Sequence, residues 1–371
     1  MGDDGTANLG HRDRDFGRLS PTTSSYLRPS NVHYRAVPAN KSSSKHSCAD
    51  MTQVHPDHAE TPDPAPPAPV DILILGAGWT STFLLPLCAS THTSCAATSR
   101  AGRAGTLPFT FDPHAPPDPA QYAALPRAET VVITFPITVP GASGRLVEAY
   151  RGAHGGAGRF VQLGSTGIWG GKDAAAPRWV DRHTPPDADN LRAAAEEELL
   201  ALRDTAVLNL AGLWGGARSI RRYVGRVAPT KDALRNKGSL HMIHGTDVAR
   251  ALLAVHAAFA RAAGQRFVLS DARVYDWWDL ASAWAERKRS EPGEVEPGER
   301  GGRRGEGGGG DGAEKGGEGE GKGAQAAWVR ELMDEAGVRA LPRDAGLLGR
   351  VLDGRDFWRV FGLSPVRARL E

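Results

Sequence analysis

A doubly wound α/β fold, with a parallel sheet held between two layers of helices, is the architecture this sequence predicts. Three observations carry the prediction. Short apolar runs recur along residues 70–288, and helical periodicity separates most of them. The first run also ends in a glycine turn that leads straight into a second apolar segment.

The first element is Val70-Asp71-Ile72-Leu73-Ile74-Leu75, an almost wholly apolar run that reads as a buried parallel strand. Gly76-Ala77-Gly78 follows, and Trp79, Thr80 and Ser81 open a helix predicted over 79–90. The first N–H groups of such a helix lack intrahelical partners and attract anions, and two glycines let a pyrophosphate lie against the backbone. This is a dinucleotide-binding layout, with Ser81 where the third small residue of the fingerprint stands. A bilayer span is excluded, because Gly76, Gly78, Thr80, Ser81, Thr82 and Pro86 interrupt the apolar character and no basic flank follows.

The second strand is predicted over 95–99. Its end is where NAD enzymes of this layout carry an Asp or Glu for the adenosine ribose. Here stand Ser99 and Arg100, with Arg103 close behind. A guanidinium cannot accept a ribose hydroxyl but pairs well with a ribose phosphate. NADP is therefore the expected cofactor, with NAD as the alternative. The competing reading is two solvated arginines in a surface loop. The same arginine argues against methyltransferases and flavin enzymes, whose sites also want a carboxylate there.

Further strands are predicted at 106–111, 130–135, 159–164, 206–211 and 266–270, and further helices at 143–153, 189–203 and 247–263. Thr246 or Asp247 is the expected cap of the last helix, with Val248, Leu252, Val255 and Phe259 on one face and Gly264 ending it. Four regions follow from composition. Residues 1–69 read as a disordered tail ending in the stiff Ala65-Pro66-Pro67-Ala68-Pro69, and 70–288 as the dinucleotide-binding domain, with a substrate region from about 213. Residues 289–323 hold 15 of the 45 glycines among mixed charges and read as a disordered insert. Residues 324–371 read as a helical segment completing a small lobe.

The formal charge of +2 and the interspersed signs of the insert argue against nucleic acid as a partner. Arg218, Arg221, Arg222 and Arg226 cluster after Gly215-Gly216 and face an anionic small-molecule substrate or solvent. Three cysteines, Cys48, Cys88 and Cys95, show no metal or redox spacing, and a cytoplasmic setting is expected. His241 and His244 lack the accompanying ligands of a metal site, so no metal is expected, and His244 is assigned to the turn into the 247 helix. Trp277 and Trp278 are assigned to packing. A homodimer is compatible with the fold class.

Four ordered segments carry a family resemblance: the glycine turn, Phe160-Val161-Gln162-Leu163-Gly164-Ser165-Thr166-Gly167-Ile168-Trp169-Gly170, Asn209-Leu210-Ala211-Gly212-Leu213-Trp214-Gly215-Gly216-Ala217-Arg218, and His241-Met242-Ile243-His244-Gly245-Thr246-Asp247-Val248-Ala249. Together they resemble the extended short-chain dehydrogenase/reductase superfamily, the epimerase/dehydratase group. The resemblance implies that Ser165 and Thr166 supply the active-site hydroxyls. It implies that Asp112 contacts the adenine amino group, although Asp112 reads equally as a turn residue before Pro113. It further implies a cofactor contact through the backbone of Thr134-Phe135-Pro136.

One departure matters most. The family carries Tyr-x-x-x-Lys on the helix after the fifth strand, with a Glu four residues beyond the Lys. Aligning Glu196 as that Glu places Arg192 at the Lys position, where it can contact ribose or phosphate, and Ala188 at the Tyr position, where it has nothing to donate. The chain thus resembles the atypical members of the superfamily. Two functions are expected: an NADP-dependent reductase or epimerase-like enzyme for a polar small molecule, or a non-catalytic NADP-binding regulator or scaffold.

Overall fold

The computed structural model describes residues 67–170, 178–286, 324–368 and 370. The predicted insert 289–323, and the predicted tail apart from 67–69, lie outside the described residues. In chain order the first half contains β1 (Val70–Leu75), α1 (Ser81–Ser90), β2 (Cys95–Ser99), β3 (Leu107–Pro108), α2 (Pro119–Ala123), β4 (Ala128–Ile133), α3 (Ala142–Ala153) and β5 (Arg159–Ser165). There follow β6 (Arg178–Val180), α4 (Leu191–Leu200), β7 (Thr205–Leu210), β8 (Gly212–Trp214), α5 (Val224–Val227), α6 (Lys231–Arg235), β9 (Ser239–Leu240), β10 (Met242–His244) and α7 (Gly245–Ala257). The remainder is β11 (Gln265–Leu269), β12 (Tyr275–Asp276), α8 (Trp277–Glu286), α9 (Gln325–Ala336), β13 (Arg350–Leu352) and α10 (Arg355–Phe361).

Seven strands form one parallel sheet in the order β11-β7-β5-β4-β1-β2-β3, the arrangement of a Rossmann fold. Period-two alternation sorts each strand between two cores. Ile72 and Ile74 of β1 pack with Leu84 and Cys88 of α1, Val248, Leu252 and Val255 of α7, and Phe357, Trp358 and Phe361 of α10. Leu73 and Leu75 face the opposite layer, with Tyr122 of α2, Leu146 and Tyr150 of α3, and Leu199 of α4. Both faces of the sheet are covered, which is why its strands read as nearly continuous apolar runs.

The third predicted strand, 106–111, shrinks to Leu107–Pro108, because Pro108 has no N–H to continue a ladder. The predicted 247–263 helix starts two residues early and ends at Ala257, followed by the 3₁₀ turn Phe259–Arg261. Neither Thr246 nor Asp247 caps it. His244 Nδ1 accepts the Thr246 N–H at 3.1 Å instead, so the turn role assigned to His244 takes the form of a cap. The fully buried Asp247 carboxylate accepts the Val366 and Arg367 N–H groups and pairs with Arg250, tying down the C-terminal stretch.

A smaller core gathers Val224, Leu234, Trp277, Trp278, Val329 and Leu332, so both tryptophans pack as assigned. The segment after 324 divides its packing. α9 lies in this smaller core, whereas β13 pairs with β6 and α10 returns to the main sheet. No helix among the described residues is long and apolar enough to cross a membrane.

Candidate functional site

The C-terminal ends of β1, β2 and β4 shape a cavity of about 420 Å³. Its floor is the turn after β1. Gly76 sits at φ +95°, and a Cβ there would stand 2.6 Å from Thr134 Oγ1, so only glycine fits. Thr134 Oγ1 reaches the Gly76 carbonyl at 2.7 Å, while the Gly76 N–H donates to Thr98 Oγ1 at 3.0 Å. The turn is thereby bolted to both neighbouring strands. Gly78 is exposed, and α1 begins with no side chain capping its N–H groups. Ser81 is buried and donates back to the Gly78 carbonyl at 2.5 Å, which explains how it serves in place of a glycine. Thr80 is buried beside it.

Ser99, Arg100 and Arg103 line the opposite wall. The Ser99 hydroxyl accepts the Arg103 N–H at 3.1 Å and meets Thr106 Oγ1 at 2.7 Å, and Thr106 in turn donates to the Arg103 carbonyl. Ser99 therefore spends its hydroxyl on shaping the 99–106 turn. The turn presents Arg100 and Arg103 as exposed cations, neither with an ion pair among the described residues.

The remaining wall is aromatic: Thr134, Phe135 and Pro136 line the cavity, where a backbone contact was expected, and Phe109 and Phe111 join them without a sequence signal. Phe111 and Phe135 stack with centroids 5.3 Å apart, and Phe109 and Thr110 complete the lining. Gln121 pins Thr110 through both its N–H and its carbonyl, and Gln162 Nε2 holds the Phe135 carbonyl at 2.9 Å. No local motif announces this wall, because its members come from separate loops. Asp112 does not line the cavity. It is exposed, and its Oδ1 accepts the His114 N–H in a turn.

Ser165 ends β5, two strands across the sheet from β1. Register places Leu75 level with Ile133 and Gln162, so Ser165 stands two residues beyond the level of Gly76. Strand rise and spacing then separate Ser165 from Gly76 by on the order of 10 Å. Ser165 Oγ accepts the Gly167 N–H at 3.1 Å, which leaves its proton free to donate. Thr166 is buried, and its carbonyl accepts from Arg350 Nη1 at 2.7 Å. Neither residue lines the 420 Å³ cavity.

Behind Ser165 lies a buried polar cluster. Asn209 Nδ2 donates to Glu196 Oε2 at 2.7 Å, and Arg266 reaches the same carboxylate at 3.3 Å. Burial raises the Glu196 pKa, opposed by Asn209, Arg266 and the nearby Arg192. Arg192 sits half-buried in the first turn of α4, which Asn190 caps, and it does not line the cavity. Ala188 is exposed in the turn before α4. The positions aligned with Tyr and Lys therefore do not share a helix here, because the Asn190 cap starts α4 at Leu191. Tyr150 offers no substitute phenol. Its hydroxyl is buried against Ala128 N–H and the Pro126 carbonyl at the N-terminal end of β4, and burial pushes its pKa up to about 12. Trp169 packs in the core with Nε1 donating to the Thr184 carbonyl.

Beyond the Ser165–Gly170 turn a second cavity, of about 430 Å³, is lined by Arg235, Lys237, Arg343 and Arg350 and by no carboxylate. Arg343 is bound to the buried Asp276, and Arg235 to Asp232 and Glu335. Lys237 and Arg350 have no ion pair among the described residues, and burial together with Arg178 lowers the Arg350 pKa. Of the predicted arginine cluster, Arg218 lies against Trp79 and the Arg222 side chain falls outside the described residues. His241 is buried, with Nε2 accepting the Leu352 N–H at 3.0 Å, and burial takes its pKa down to about 4. No metal-holding cluster of three or more ligands occurs among the described residues.

No family model matches the sequence, and no curated protein gives a significant match. Solved structures do resemble it. An SsCR variant aligns over 80% of this chain and 95% of its own, with 11% identity and a TM-score of 0.51. A Methylobacillus flagellatus protein described as an NAD-dependent epimerase/dehydratase aligns over 81% and 94%, with 16% identity and a TM-score of 0.48. The dTDP-glucose 4,6-dehydratase of Bacillus anthracis, solved with NAD, aligns over 80% and 92%, with 12% identity and a TM-score of 0.47. The likeness is one of fold.

Proposed function

We propose that the chain binds NADP across the C-terminal edge of its sheet and acts as an oxidoreductase of the epimerase/dehydratase kind on an anionic small molecule. One observation carries the reading. A glycine turn with no room for a side chain at Gly76, an aromatic wall at Phe111 and Phe135, and two uncompensated arginines all line one cavity. Gly76, Gly78 and the open start of α1 would hold the diphosphate, the phenylalanine wall the adenine, and Arg100 and Arg103 the ribose phosphate. NADP, when bound, supplies hydride chemistry.

Ser165 lies at a distance suited to the other end of such a ligand. Its free proton would be donated to a substrate oxygen, with the Gly167 N–H orienting the hydroxyl. Thr166 would hold the turn in place through its carbonyl and Arg350. The acid-free cavity beyond Gly170 supports an anionic substrate, since Lys237 and Arg350 stand there without counter-charges. Proton delivery would pass through water at Ser165, because Ala188 has nothing to donate.

The position of Ala188 favours a second reading, a dinucleotide-binding regulator without turnover. Both readings meet in one assay. Purified protein with NADPH and a panel of carbonyl compounds bearing phosphate or carboxylate groups should oxidise cofactor above the protein-free rate. Tight NADPH binding without any oxidation across that panel supports the regulator.

A further inference from the structure

The residue after Gly78 is a tryptophan, and it reaches across the molecule. Trp79 Nε1 donates to the Gly215 carbonyl at 3.0 Å, joining the turn after β1 to the loop after β8, 136 residues away. That loop folds back on itself. Gly215 and Arg218 exchange both backbone hydrogen bonds, at 2.9 and 3.1 Å, around Gly216 at φ +56°. The fold-back sets the Arg218 guanidinium 4.7 Å from the Trp79 ring centre. An aromatic column fixes this docking: Trp79 packs edge-on to Phe83, Phe83 to His244, and His244 to Trp214. Neither Gly215 nor Gly245 has space for a Cβ, because His244 and Phe83 fill it. The column cannot shift to accommodate a change in either loop without opening a void.

Arg218 thus carries a full charge at the rim of the glycine turn. It is exposed and has no carboxylate partner among the described residues. A guanidinium on an indole face keeps its N–H edge available while its plane is held in place. The adjoining Trp79 and Thr80 N–H groups close no hydrogen bond among the described residues, and such donors attract the same ligand chemistry.

We propose that Arg218 is a diphosphate-binding residue. Docked on Trp79, it stands beside the turn that follows β1, held there by the Gly215–Arg218 fold-back. The assignment rests on the dinucleotide reading above. It differs from that reading in which ligand group it touches: Arg100 and Arg103 address a phosphate that only NADP has, whereas Arg218 addresses one that NADP and NAD share.

Calorimetric titration of the full chain with NADP and with NAD tests it. Arg218→Ala should weaken both ligands by the same factor, about tenfold or more, and Arg218→Lys should retain part of that affinity. Trp79→Leu should weaken both as well. The double variant should lose less than the product of the two single losses, since Arg218 acts from the Trp79 face. Unchanged affinities in Arg218→Ala, with the unaltered protein binding normally, overturn the assignment and leave the dinucleotide reading standing. A loss confined to NADP also overturns it, by moving Arg218 to the ribose phosphate. An unaltered protein that binds neither ligand overturns the dinucleotide reading itself, and Arg218 with it.

Discussion

Two neighbouring regions of the sheet's C-terminal edge are built differently. At β1, β2 and β4 the glycine turn is tied to both neighbouring strands and the 99–106 turn to itself, and the result is a preformed cavity with a tight glycine floor. At β5 the candidate hydroxyl, Ser165, stands half-exposed on a short turn, supported from behind by Glu196, Asn209 and Arg350. Binding a ligand of fixed shape requires a preformed receptacle, so its walls are rigid. Chemistry requires groups that meet a substrate; Ser165 is the candidate for that role, and Ala188, at the position aligned with the phenol, lies off the helix.

The contrast breaks most sharply at Gly76. Gly76→Val adds a Cβ onto Thr134 Oγ1 at a φ that valine avoids, and should abolish measurable NADP binding by titration while a folded circular-dichroism spectrum persists. Retained affinity would remove the turn from the site.

The next largest effect concerns the support behind β5. His241 holds β13 through Leu352, two residues from the Arg350 that holds Thr166. Burial depresses its pKa from 6.5 to about 4, so the unfolded chain binds the extra proton between those values. Its contribution is present above pH 6.5 and lost as the pH falls toward 4, by about 3 kcal/mol in all. Denaturant melts of His241→Gln should show a shallower fall in stability across that window. A slope equal to that of the unaltered protein would show that the imidazole is not the acid-sensitive tie.

Ser165→Ala should lower any NADPH-dependent turnover about 10²-fold with the NADP dissociation constant unchanged, as expected of a hydroxyl aimed at developing charge. Equal turnover would place the chemistry elsewhere. Smallest is the change in cofactor choice. Arg100→Asp should cut the preference for NADP over NAD about tenfold, and leaving the ratio untouched would return Arg100 to the solvated surface. Rebuilding the family pair with Ala188→Tyr and Arg192→Lys is expected to restore nothing, since residue 188 precedes α4. A gain of activity would show that the turn before α4 rearranges.

Much of this architecture is legible along the chain, and the reason is local. β1, β2 and β5 begin where their apolar runs begin, and α1 follows Gly76-Ala77-Gly78 as such a turn requires. Boundaries fail where a single residue type outweighs periodicity: Pro108 ends a strand early, Asn190 delays α4, and His244 takes a cap expected of Thr246 or Asp247. The candidate site divides the same way. Gly76, Gly78, Ser99, Arg100 and Arg103 line one cavity because adjacent parallel strands deliver them to one edge, which strand order alone implies.

Contacts between distant segments are another matter. The stack of Phe111 on Phe135, the reach of Trp79 to Gly215, and the cavity lined by Lys237 and Arg350 join residues tens to hundreds of positions apart. Each depends on loop paths and side-chain rotamers that no period records. Strand, turn and helix follow from neighbouring residues, because backbone sterics and apolar spacing act within a few positions. Which charges end up without partners depends on the whole packed chain, because a cation is compensated by whatever lies nearest in space. Arg100, Arg218, Lys237 and Arg350 look alike in sequence to Arg235 and Arg343. Packing alone gives the last two their carboxylates and leaves the first four without an ion pair among the described residues.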